Sequence, residues 1–103
     1  MAAETVSFAV VNTLSTTVVD TITFNRKGNG TSLLVTNLSG STTLGVTLGG
    51  TTPVSEGDDC YAVPANMTLE IQNPQDSGTT GPVVKIIGSG NKYAAQLVPR
   101  ARD

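Results

Sequence analysis

Apolar residues in this chain return at every second position, and nowhere do they keep the i, i+3, i+4, i+7 spacing of an amphipathic helix beyond one turn. Side chains alternate across a strand, so a period of two turns one face to a core and leaves the other outside. In Met67-Thr-Leu-Glu-Ile-Gln72, residues Met67, Leu69 and Ile71 share one face, and Thr68, Glu70 and Gln72 the other. Leu44, Val46 and Leu48 alternate with Gly45 and Thr47 in the same way. Val6, Phe8 and Val10 do so near the start, and Ile22 and Phe24 follow a polar bridge at 15–17. Sixteen threonines agree with this period, because a stiff β-branched side chain suits a pleated surface and weakens a helix. Runs 31–36 and 83–87 are apolar on both faces, which predicts central strands or strands covered by another chain. A last strand over 93–98 ends at Pro99.

Turn chemistry falls between these runs. Lys27-Gly28-Asn29-Gly30 reads as a hairpin, because Asn-Gly tolerates the positive φ angles of a tight turn. Further turns are marked by Ser39-Gly40-Ser41, Gly49-Gly50, Glu56-Gly57-Asp58, Gly78-Thr79-Thr80-Gly81 and Gly88-Ser89-Gly90-Asn91. The expected fold is all-β: a small antiparallel β-sandwich or partly closed barrel of about eight short strands, with an extended N-terminal arm. Residues 1–16 form that arm or an edge strand, pairing within the subunit or with a neighbour. Residues 17–98 form a single β domain, and 99–103 a C-terminal tail.

At 103 residues the chain holds one core, and its only aromatics are Phe8, Phe24, Tyr61 and Tyr93. Val, Ile and Leu must supply most of the burial, so the isolated monomer is expected to be marginal and stabilised by association. The net charge is −2, and no cationic cluster exceeds the pair Arg26-Lys27 or the tail residues Arg100 and Arg102. That leaves nothing from which to build a basic nucleic-acid-binding face. No apolar run approaches the roughly 20 residues of a membrane-spanning helix. The start, Met-Ala-Ala-Glu, has neither the basic region nor the apolar stretch of a secretion signal, so synthesis in a cytosol is expected. Cys60 stands alone, which excludes an intramolecular disulfide.

Catalytic patterns are missing. There is no histidine, and with it go the usual neutral-pH base, the commonest metal ligand and the Ser-His and Cys-His arrangements. Cys60, with no histidine to activate it, reads as a small apolar side chain on a strand. Glu56, Asp58 and Asp59 are the one dense acidic group, but their spacing is not that of an EF-hand, and a solvated turn accounts for them. Asp20 and Glu70 are spare carboxylates with nothing to single them out. No phosphate-binding GxxxxGK[ST] loop occurs. The Asn-X-Ser/Thr triplets beginning at Asn29, Asn37 and Asn66 are discounted as chance in so Thr-rich a chain. The chain is therefore expected to be neither an enzyme nor a holder of a metal or cofactor, and to act by contacting other proteins.

Residues 44–64 read Leu-Gly-Val-Thr-Leu-Gly-Gly-Thr-Thr-Pro-Val-Ser-Glu-Gly-Asp-Asp-Cys-Tyr-Ala-Val-Pro. Met67-Thr-Leu-Glu-Ile, Pro82-Val-Val-Lys-Ile-Ile-Gly and Asn91-Lys-Tyr-Ala-Ala-Gln-Leu follow. This stretch, about 31–98, resembles small bacteriophage virion β-proteins. In these a Gly-Thr/Ser-Thr-Pro turn ends one strand, and a Tyr-Val-Val/Leu-Pro strand, a Val-Lys-Leu-Ile-Ser strand and a Tyr-containing strand come after it. Cys60 before the tyrosine and the polar insert 73–81 depart from the pattern and bear on its local turns.

The resemblance implies a virion structural role, chiefly that of a capsid decoration (cement) protein on the outer surface of the shell. The alternatives are a low-copy head–tail connector, tail or baseplate component, or a carbohydrate-binding, adhesin-like module resting on Tyr61 and Tyr93. The implied partner is the major capsid protein or another virion protein, and the implied state a homo-oligomer, with a trimer suited to the three-fold positions of a capsid. Neither nucleic acid nor membrane is a partner in this reading. Val6, Phe8 and Val10 in the N-terminal segment, and Arg100 and Arg102 in the tail, are the expected partner-binding residues. The former could add to a neighbour's sheet, and the latter could fork onto carboxylates.

Overall fold

The computed structural model describes residues 3–15, 18–48, 60–76 and 80–99. Within them lie nine strands and no helix. They are β1 (Ala3–Val6), β2 (Ala9–Thr13), β3 (Asp20–Phe24), β4 (Thr31–Asn37), β5 (Leu44–Leu48), β6 (Tyr61–Val63), β7 (Thr68–Gln72), β8 (Val83–Ile87) and β9 (Lys92–Pro99). One sheet has the order β1-β3-β8-β5-β6 and the other β2-β9-β4-β7, and the two pack face to face as a sandwich. The all-β sandwich expected from the alternation is what the chain forms.

The doubly apolar runs take the interior places. β4 lies between β9 and β7, and β8 between β3 and β5. The alternation sends Ile22 and Phe24, Leu33 and Val35, Leu44 and Val46, Val84 and Ile86, and Tyr93, Ala95 and Leu97 into the space between the sheets. Leu14 and Val63 close its ends, and Leu69 and Ile71 of β7 pack against it from the side. Each fully buried aliphatic or phenyl side chain contributes about 1.5–3 kcal/mol relative to exposure, so this layer supplies the main stabilisation.

Consecutive strands rarely pair. β5 and β6 form the one hairpin among the described strands, and every other connection crosses from one sheet to the other. The turn at Lys27-Gly28-Asn29-Gly30 is a case in point, and here the hairpin reading is corrected. It joins β3 of the first sheet to β4 of the second. Asn-Gly does make a tight turn, with Gly30 at φ +79°, but turn geometry alone does not choose the sheet that the next strand joins. The β7–β8 connection chooses it. Gly28 donates its N–H to Asp76 Oδ1 at 2.7 Å, and Gly30 to Asn73 Oδ1 at 2.9 Å. Gly28 sits so close beneath Pro74 that a Cβ there would run into the Pro74 carbonyl oxygen.

At the opposite end of the sandwich, buried Asn37 uses both ends of its amide. It donates to the Thr42 carbonyl at 2.7 Å and to that of Val63 at 2.9 Å, and accepts from Ser39 N–H and Asn91 Nδ2. One residue thus fastens the β4–β5 and β8–β9 connections and the end of β6.

The N-terminal segment differs from an extended arm. Residues 3–6 run parallel to β3, the chain changes sheet at Ser7-Phe8, and residues 9–13 run antiparallel to β9. Asn25 N–H bonds the Val6 carbonyl and Leu97 N–H bonds the Phe8 carbonyl, one on each side of the switch. Both Val6 and Val10 find core to pack against, so pairing within the subunit outcompetes a free arm over residues 3–13.

Candidate partner-binding edge

Two open sandwich sheets leave four edge strands: β1, β6, β2 and β7. An edge offers a row of unpaired peptide groups, and proteins usually blunt it with charge, proline or shortness. Glu4 guards β1, and Glu70 guards β7. β6 has three residues and runs into Pro64. β2, Ala-Val-Val-Asn-Thr, carries no charge and no proline. It is the least protected edge among the described strands.

Its register shows which groups are free. Leu97 N–H to the Phe8 carbonyl and Leu14 N–H to the Asn91 carbonyl, each 2.8 Å, bracket the β2–β9 ladder. Antiparallel pairing alternates, so residues 8, 10, 12 and 14 turn their peptide groups toward β9. Ala9, Val11 and Thr13 therefore turn theirs outward, beyond the sheet. Their side chains also lie on the sheet's outer face, where Val11 is 57% exposed.

Phe8 stands at the start of this edge. It directly follows the change of sheet, in register with Leu97, and 58% of its surface is exposed. The Arg26 guanidinium carbon lies 5.9 Å from its ring centroid, at the outer limit of a cation–π contact. Phe8, Arg26, Lys27, Thr31, Leu97 and Pro99 line a cleft of about 310 Å³. Lys27 reaches Asp76 only at 4.0 Å and stays mostly in solvent, an ion pair of little energetic weight. The cleft is thus an apolar floor with two cationic groups on its rim.

Beneath the edge, polar side chains hold β2 in place. Asn12 donates to Glu4 Oε1 at 3.0 Å and to the Tyr93 hydroxyl at 3.4 Å, and that hydroxyl donates to Asp20 Oδ2 at 2.9 Å. Burial above all pushes the Tyr93 hydroxyl well above its ordinary value. The hydrogen bond from Asn12 opposes this, while the bond to Asp20 and the charges of Asp20 and Glu4 reinforce it. Tyr93 therefore remains a proton donor to Asp20 and serves no acid–base chemistry near neutral pH. Asp20 is 1% exposed, and its Oδ1 has no hydrogen-bond partner among the described residues.

Of the partner-binding residues expected from sequence, Phe8 is the exposed one, and Val6 and Val10 are half-buried against the core. Arg100 and Arg102, and the acidic group Glu56, Asp58 and Asp59, lie outside the described residues. Tyr61 is exposed but Tyr93 is fully buried, so the two do not form a shared platform for a sugar. Asp20 is buried in one sheet and Glu70 exposed on the other, which is no paired-carboxylate cleft. Cys60 is half-buried, with its Sγ beside Gly45. No group of three or more His, Cys, Asp or Glu able to hold a metal occurs among the described residues. None of the described helices is long and apolar enough to cross a membrane, since there are none.

Sequence reasoning offered residues 1–16 as an arm or an edge strand and named Phe8, but did not single out β2 as the open edge. The signal was present in the uncharged, proline-free run 9–13; what it lacked was knowledge of which strand ends a sheet. No protein-family model, no curated protein and no solved structure matches this chain.

Proposed function

We propose that this chain is a bacteriophage structural protein that decorates the outer surface of the capsid and binds the major capsid protein or another virion protein there. The observation that carries the reading is the resemblance of the sequence over about 31–98 to small virion β-proteins, which runs through Gly-Thr-Thr-Pro at 50–53 to the stretch that includes Tyr93. A small all-β sandwich with an aliphatic core and an unprotected edge strand agrees with it. Such a subunit works without catalysis or cofactor, by gripping a shell at many equivalent sites, where modest single contacts become strong together. A trimer matches the three-fold positions of a shell. The location in this reading is the virion, after synthesis in the host cytoplasm.

Copy number tests this. Quantitative mass spectrometry of virions from the phage encoding the chain is expected to give hundreds of copies, comparable with the major capsid protein. Six to a few dozen copies would move the protein to the connector, tail or baseplate. Absence from the particle would end the virion reading.

A further inference from the structure

We infer that the edge of β2, unpaired among the described strands, accepts one extended segment of a partner protein, apolar where it flanks Val11 and acidic at its ends. The inference rests on the geometry of the edge and not on the virion reading, so the two fail separately.

The backbone supplies the first part. Ala9, Val11 and Thr13 present outward N–H and C=O groups along about 17 Å of strand at the usual rise per residue, enough for a five-residue partner strand. Main-chain bonds of this kind give affinity, and the alternate side chains give selectivity. Val11 lies beside the middle of the added strand, and its exposed isopropyl group favours an apolar neighbour.

Charge supplies the second part. The chain as a whole is acidic, with net charge −2, yet the ends of this edge are basic. Arg26 and Lys27 stand on the rim of the Phe8 cleft at the start of β2. Lys92, exposed, pairs across from Thr13 at its end. Neither β2 nor β9 contains an acidic residue. Glu4, beneath the edge, accepts a hydrogen bond from Asn12, and Asp76 lies 4.0 Å from Lys27 in an exposed pair that leaves the ammonium largely in solvent. A segment with carboxylates at both ends meets opposite charge at each, while a basic segment meets repulsion.

The test uses the full chain and two blocked heptapeptides, Thr-Glu-Thr-Val-Thr-Val-Glu and Thr-Lys-Thr-Val-Thr-Val-Lys, whose central Val faces Val11 while one charge falls opposite Thr13, beside Lys92, and the other opposite Phe8, titrated by NMR at low and at 0.5 M salt. The acidic peptide is expected to shift the amides of Ala9, Val11 and Thr13 and to bind at least tenfold more tightly than the basic one. That margin is expected to shrink at high salt, because the charges involved are exposed. Val11→Pro removes an outward N–H and leaves the ladder to β9 intact, so binding is expected to be lost with the thermal midpoint little changed. Should that variant unfold, the pair Arg26→Glu and Lys27→Glu decides the matter, with preference expected to swing toward the basic peptide. Equal binding of the two peptides, or binding unaltered in both sets of variants, overturns the proposal. So does a shift of the same amides with protein concentration alone, which would assign the edge to a second copy of this chain.

Discussion

Tyr93 shows how a residue can be placed correctly in a strand and still be misjudged in its role. Its strand over 93–98 is legible in the sequence, where Tyr93 stands with Tyr61 as the aromatics open to the carbohydrate-binding alternative. In the fold it is fully buried and bound to Asp20, a carboxylate that pattern reading left unassigned. Tyr93→Phe deletes that bond and leaves a buried carboxylate short of a donor, at an expected cost of about 1–3 kcal/mol by chemical denaturation. The same hydroxyl gives a pH signature. Its proton is held more tightly in the folded than in the unfolded chain, where tyrosine titrates near 10. Stability from this source is complete below that pH and is lost as pH rises above it, since the unfolded chain then releases a proton that the folded one keeps. Wild type is expected to lose stability between pH 10 and 12 more steeply than Tyr93→Phe. Equal slopes would place the alkaline sensitivity elsewhere.

Among the elements, the interior strands were the most legible and the connections the least. Runs apolar on both faces point to interior strands, and β4 and β8 occupy interior places, although Leu34, Val83 and Ile87 on the outer faces stay half-buried. The Asn-Gly turn carries a strong local preference but no information about which sheet follows, because that is decided by Asn73, Pro74 and Asp76, more than forty residues away. This has a measurable consequence. In a free hairpin turn, Gly30 at positive φ would be the sensitive glycine. Here Gly28→Ala forces a methyl group against the Pro74 backbone, at an expected cost of about 2–3 kcal/mol, whereas Gly30→Ala meets open space and costs about 1 kcal/mol. Thermal unfolding of the two variants gives the order, and the reverse order would restore the hairpin picture. For the N-terminal segment the sequence left an arm and an edge strand open, and the switch between sheets was not legible. Val6, Phe8 and Val10 read as one continuous face, but the switch at Ser7-Phe8 puts Val6 and Val10 in different sheets and leaves Phe8 outside.

The whole molecule measures 36 × 26 × 24 Å, with a radius of gyration of 12.6 Å, close to the value of about 13 Å expected for a compact domain of this length. Its buried layer is mostly aliphatic, with Phe24 and Tyr93 the only aromatics in it. A small core of this kind gains proportionately from any partner that binds the folded state alone. The asymmetry of its edges says where such a partner gains most: β1 and β7 carry charge, β6 is short, and β2 is open. Amide hydrogen exchange, read residue by residue in the free protein and in the assembled particle, tests this most directly. Val10 and Asn12, already bonded to β9, are expected to be protected in both, while Ala9, Val11 and Thr13 exchange freely in the free protein and become protected on assembly. Fast exchange at Ala9, Val11 and Thr13 in the particle would contradict the account, for the partner would then be held by some other face.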